Sequence, residues 1–139
     1  MTLAEFLGAR LAEDEAMAQS AALTDPPPWS IESTDDTTDT PIRDRNGDWL
    51  CLSPDGGVRG GHERAAAGHI ARWDPSRVLA EVAAKREIVR LFVEAAVLVS
   101  RSHEDSDIHL AIHLTAEAAC QCLAAVYSGH PDYDEAWRP

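Results

Sequence analysis

His109 and His113 stand four residues apart in Ile-His-Leu-Ala-Ile-His-Leu. On a helix both imidazoles then leave the same face, the spacing used to hold zinc or copper. Two ligands make no site. A third would have to come from His103, Glu117, His62 or His69, and Leu110 occupies the place where a zinc hydrolase carries its water-activating glutamate. A metal-dependent hydrolase is the enzyme reading of this chain, with zinc as the cofactor it implies. The competing reading makes the pair ordinary surface or core histidines.

A second cluster lies at His69, Asp74, Arg77 and Glu81. Asp74-Pro75 is a helix start: aspartate caps through its side-chain oxygen, and proline suits the first helical position, where its missing N–H would go unpaired anyway. Arg77 and Glu81 follow one and two turns on. The functional reading is a polar pocket holding an anion on free N–H groups and Arg77. The structural reading needs less, since capping accounts for the residue types unaided, with His69 hydrogen-bonded into the corner.

Other patterns carry less. Glu13, Asp14 and Glu15 spread over more than half a helix circumference and cannot converge on one ion, so a solvated acidic face is expected. Asp44-x-Asn46-x-Asp48 imitates the start of a calcium loop, but glycine comes one place early and Asp55 stands where the bidentate glutamate belongs. No serine sits in a glycine-framed elbow and no phosphate-binding Gly-x-x-x-x-Gly-Lys occurs. Cys120 and Cys122 lie about 200° apart around a helix, which disfavours a disulfide between them, and have no neighbouring charge to activate a thiolate.

The elements that would position these residues read as a helix-dominated α+β fold. It comprises an N-terminal helix, a small antiparallel sheet of about three strands, a short helix and two long antiparallel helices. Thr2 and Glu5 have capping-box spacing, and Leu3, Phe6, Leu7, Leu11 and Met17 form the stripe of a helix running to about residue 21. After Asp25-Pro-Pro-Pro28, the alternation in Trp29-Ser-Ile-Glu-Ser predicts a strand. Asn46-Gly47 predicts a hairpin with a type I′ turn. His62 to Arg72 reads as a short helix. A long helix follows from Asp74-Pro75, with Val78, Leu79, Val82, Val89, Phe92, Val93 and Ala96 on its buried face. Ser106 or Asp107 caps a last helix that is apolar on more than one side, with Ile108, Leu110, Ile112, Leu114, Ala118, Cys122, Leu123 and Val126 available for burial. Gly129 supplies its stop, and the aromatics of the tail pack back on the body. One domain over 1–139 is expected: helix 1–22, hairpin region 28–61 with a mobile acidic loop at 33–41, helical core 62–128 and tail 129–139.

With 45% hydrophobic residues in 139, such a chain can bury a core without disulfides or metal. No run of about 18 apolar residues and no basic leader are visible, so neither a membrane span nor a signal peptide is expected and the location reads as cytoplasmic. The net charge is −12. Nine acidic residues against Arg10 alone put −8 in the first forty and leave −4 for the rest, a field that repels nucleic-acid phosphates and favours solubility.

Pro28-Trp29, the run His69-Ile-Ala-Arg-x-Asp-Pro-x-Arg-Val-Leu-x-Glu-Val-x-x-Lys-Arg86 and the closing Tyr127-x-x-His-Pro-x-Tyr-x-x-x-Trp-Arg-Pro139 together resemble an uncharacterised family of small proteins, a domain of unknown function. The family occurs in actinobacteria, particularly streptomycetes, and their phages. The resemblance spans nearly the whole chain. Many relatives have Thr-Pro-Gly-Pro-Trp where Asp25-Pro-Pro-Pro-Trp29 stands here, and a cysteine-bearing loop where Arg101 to Asp107 has none. A looser likeness, Pro-Trp, a hairpin and then Ala-x-x-Ile-Ala-x-x-x-Pro before a helix, is to small accessory proteins of temperate phages. These likenesses imply a fold and a genomic setting, and no activity.

The leading expectation is a non-enzymatic accessory protein that binds another protein, a second copy of itself included, with no direct contact to nucleic acid or membrane. Beside the hydrolase stands a third reading, an inhibitor whose acidic N-terminal half mimics nucleic acid.

Overall fold

The computed structural model describes residues 1–31, 42–51, 61–101 and 106–139. Four helices dominate, α1 (Leu3–Thr24), α2 (Gly61–Arg72), α3 (Pro75–Arg101) and α4 (Ser106–Ala125), with strands β1 (Ser30–Ile31), β2 (Ile42–Arg43) and β3 (Trp49–Cys51). A single 3₁₀ turn, Glu135–Trp137, follows α4. The helix-dominated α+β architecture expected from the pattern is the one observed. The contacts group into two compact units, one of residues 1–14 and 81–139 and the other of residues 15–80.

The first unit is built on the start of α1. Thr2 and Glu5 close the capping box in both directions: the Thr2 backbone N–H donates to the Glu5 carboxylate at 2.7 Å, and the Glu5 N–H to the Thr2 hydroxyl at 3.2 Å. Hydrogen bonding from Thr2, from its backbone N–H first and then its side chain, holds the Glu5 carboxyl below its ordinary range. Leu3, Phe6 and Leu7 then form one buried cluster with Cys120 and Ala124 of α4, flanked by Ile88, Val89 and Phe92 of α3. The tail folds back as expected, placing Tyr133 and Trp137 against Phe6 with ring centroids 6.0 and 4.9 Å away. Gly129 does not supply the helix stop, for it lacks the positive φ of a left-handed cap. Instead α4 ends at Ala125 and tightens through successive i→i+3 bonds, Tyr127 to Ala124, Ser128 to Ala125 and His130 to Tyr127.

In the second unit the strands form one antiparallel sheet in the order β1-β2-β3. Ile31 stands opposite Ile42, and Arg43 opposite Trp49. The hairpin is where Asn46-Gly47 put it, but its turn differs from the expected type I′. The Asp44 N–H donates to the Asp48 carbonyl and the Gly47 N–H to the Asp44 carbonyl, enclosing three residues, with Gly47 at φ 85°. That is a type I turn closed by a glycine bulge. Asp44, 5% exposed, selects it: one carboxylate oxygen accepts the N–H groups of both Asn46 and Asp48, at 2.8 and 2.9 Å. The carboxylate that imitated a calcium ligand is thus spent on its own loop. The expected acidic loop at 33–41 lies outside the described residues.

Burial corrects two further expectations. Met17, placed in the buried stripe of α1, is 74% exposed, and that helix runs on to Thr24. On α3 and α4 the positions Val93, Ile108, Leu110, Ile112, Leu114, Cys122 and Val126 are exposed rather than covered. Apolar periodicity marks which faces would gain from burial, not whether the chain owns an element to bury them.

Candidate functional site

The histidine pair lies on α4 with the spacing of one face, but the ring of His113 is already engaged. His113 stacks on Phe92 of α3, centroids 5.2 Å apart and planes within 11°. Its Nδ1 is buried and has no hydrogen-bond partner among the described residues. His109 is half-buried and engaged by neighbours. Among the described residues no three His, Cys, Asp or Glu side chains converge as metal ligands would. His103 and the side chain of His62 lie outside the described residues. The pair therefore has no third ligand on the described part of the chain, and His113 packs α4 on α3.

At the helix corner the capping arrangement is complete. Asp74, 9% exposed, accepts the Arg77 N–H at 2.9 Å through one oxygen and the Trp29 N–H at 3.4 Å through the other. The donor an anion would use is already taken by this carboxylate. The Arg77 guanidinium lies 4.2 Å from the Trp73 ring centroid, a cation–π stack. His69 is exposed, its ring 6.0 Å from Trp73, and Glu81 lies 3.8 Å from Lys85. Asp74 and Arg77 are thus both committed to local structure.

A polar cluster that sequence reasoning missed joins α1 to the tail. Arg10 is 7% exposed, donating to Glu13 at 2.8 Å and to His130 Nε2, with its guanidinium 5.5 Å from the Phe6 ring centroid. Tyr127 donates its hydroxyl to Asp14 at 2.6 Å. Burial first, and then this bond, push the tyrosine well above its ordinary value. The signal was available: Arg10 falls in the stripe of Phe6, Leu7 and Leu11, four residues from Phe6, where a solvated arginine has no reason to be. Glu13 and Asp14 belong to this network, so the acidic stretch of α1 is only partly a solvated face.

The two helical cysteines divide as their spacing required, Cys120 buried and Cys122 exposed, both as free thiols. Burial, aided by the charge of Glu117, pushes the Cys120 thiol up to about 11. At pH 8 a maleimide or iodoacetamide is therefore expected to label Cys122 in the folded protein and to reach Cys120 only after denaturation. Peptide mass spectrometry reads this, and equal labelling of the two would refute the packing of α4.

What remains is the surface of α3 and α4. One of their shared faces forms an open groove of about 780 Å³. Ile88, Leu91 and Leu98 of α3 line it opposite Ile108, Ile112 and Ala119 of α4. Its polar members are Glu94, paired with Arg90, Asp107 in the first turn of α4, and Thr115. Ile108 is 71% exposed and Ile112 50%. By length and composition alone, Asp107–Ala125 also passes as a membrane-crossing helix, with a mean hydropathy of 1.2. Asp107, Glu117 and the two histidines interrupt any pure apolar run there without lowering the average far.

Fold and site together define a small helix-dominated α+β protein with an open apolar face on α3 and α4. The chain belongs to the family of unknown function DUF6221, whose model matches residues 1–139. No curated protein and no solved structure matches it significantly.

Proposed function

We propose that this is a non-enzymatic accessory protein that binds another protein through the apolar face shared by α3 and α4. The observation that carries the reading is the groove itself, whose four large aliphatic side chains Leu91, Leu98, Ile108 and Ile112 are each about half or more exposed. Covering the open part of those four is worth about 3–6 kcal/mol per copy of the face, at roughly 1.5–3 kcal/mol for each fully buried side chain. A monomer gains nothing from leaving it wet. The free thiols of Cys120 and Cys122 fit a reducing cytoplasm, and the likeness to small proteins of streptomycetes and their phages fits an accessory role. The hydrolase reading is weaker, because His113 packs flat on Phe92. The mimic reading is weaker because Glu13 and Asp14 are drawn into the Arg10 and Tyr127 network instead of forming a free row.

Comparative capture tests the reading, using tagged wild type, Ile112→Glu in the groove and Met17→Glu on the exposed side of α1. Proteins held by wild type and Met17→Glu but released by Ile112→Glu are the expected result. A bound set indifferent to Ile112→Glu would overturn it.

A further inference from the structure

We infer that the occupant of the α3–α4 groove is the same groove of a second copy of this chain, so that two α3–α4 hairpins close face to face into a four-helix interface. This rests on the reading of that face as a protein-binding surface, and commits it to one partner.

Charge carries the first step. The chain as a whole is at −12, which sets two copies against each other. The two groove helices take no share in that excess. α3 holds five basic residues (Arg77, Lys85, Arg86, Arg90, Arg101) against three acidic ones (Glu81, Glu87, Glu94), and α4 holds Asp107 and Glu117 with no basic residue. Their sum is zero with histidine neutral. Arg90 is moreover tied to Glu87 and Glu94, and Lys85 to Glu81, within α3. A partner selected by charge would need to be basic and would be drawn to the acidic remainder of the chain. The groove itself is lined by apolar residues with only Glu94, paired with Arg90, and Asp107 as charged members, so an identical face meets an apolar surface with few like charges.

Area carries the second. Leu91, Leu98, Ile108 and Ile112, with Ala111, Thr115 and Ala119 exposed between them, leave open on the order of 500–600 Å². Two such faces together remove on the order of 1,000 Å², the lower bound for a specific interface, and a two-fold arrangement places each face on its own copy. The same features argue against a bilayer. α4 opens with Asp107, has no basic residue in its last turn and carries Glu117 within it, whereas membrane helices are flanked by basic and aromatic anchors.

Sedimentation velocity and light scattering on the full chain, from about 1 to about 100 μM, test the inference. Wild type is expected to be a dimer over the upper part of this range. Ile112→Glu is expected to weaken association by about 100-fold or more, because each interface receives two buried carboxylates. Leu114→Glu, on the same helix but outside the groove, is expected to leave the dimer intact, with circular dichroism confirming helix content in both variants. A wild type that stays monomeric at the highest concentration overturns the inference, as does a dimer that survives Ile112→Glu or is lost with Leu114→Glu. Co-sedimentation of wild type with vesicles of neutral or anionic phospholipid overturns it in favour of a membrane. If the chain is monomeric while Ile112→Glu still releases captured proteins, self-association fails and the protein-binding reading stands. If the chain is monomeric and capture is also indifferent to Ile112→Glu, both fail.

Discussion

Phe6→Ala is expected to cost about 3–5 kcal/mol of folding stability, the range for deleting a buried aromatic side chain that its surroundings cannot collapse to fill. Phe6 is wholly buried. Four rings stand round it, Tyr127 just after α4, edge-on at 6.3 Å, and three from the tail, His130 at 5.9 Å, Tyr133 at 6.0 Å and Trp137 tilted at 4.9 Å. Removing the hub takes away each of these pairs as well as the apolar burial, and it leaves Arg10 without the ring beneath its guanidinium. Because domains of ordinary size are stable by only about 5–15 kcal/mol, the loss is a large share of the whole. Urea unfolding gives the magnitude. Near-ultraviolet circular dichroism adds the mechanism, since the signals of Tyr133 and Trp137 should flatten as the tail leaves α1. A cost below about 1 kcal/mol with an unchanged aromatic spectrum would mean that the tail is not held there.

Local chemistry was legible in the sequence wherever a short stretch satisfies its own backbone. The Thr2–Glu5 box, the Asp74-Pro75 start and the opposed faces of Cys120 and Cys122 each need only neighbours within a turn or two, and the spacing of residue types specifies them. The hairpin was half legible. Asn46-Gly47 announces a reversal, but whether it closes over two residues or three depends on Asp44, whose carboxylate rewards the longer loop with two N–H bonds. Long-range pairing was not legible at all: nothing near Arg10 names His130, 120 residues away. The surface of α4 was misjudged for the same reason. Ile108 and Ile112 on one side, Leu110 and Leu114 on another, announce faces to be covered, and a pattern of residue types is silent on whether the cover belongs to this chain or to another.

Asp74→Ala is expected to cost about 2–3 kcal/mol, more than an exposed cap would, because two N–H groups lose one acceptor. The Arg77 N–H, at 2.9 Å, belongs to the first turn of α3, and the Trp29 N–H, at 3.4 Å, to the residue entering β1. The carboxylate therefore fastens the start of the longest helix to the edge of the sheet, and alanine leaves both donors in a place where water reaches them poorly. Asp74→Asn keeps an oxygen in position and gives up only the charge near the helix N-terminus, so it should cost under about 1 kcal/mol. Hydrogen exchange separates this from a general loss of stability: the Arg77 and Val78 amides should lose protection in the alanine variant before those at the middle of α3. The same carboxylate decides the anion reading of the corner. With Asp74 in place, phosphate at millimolar concentration is expected to leave the melting temperature of wild type unchanged. In Asp74→Ala the freed N–H groups face Arg77, and phosphate should recover part of the loss. Stabilisation of wild type by phosphate to the same extent would show that Asp74 does not fill the site and that the corner binds anions as the sequence first suggested.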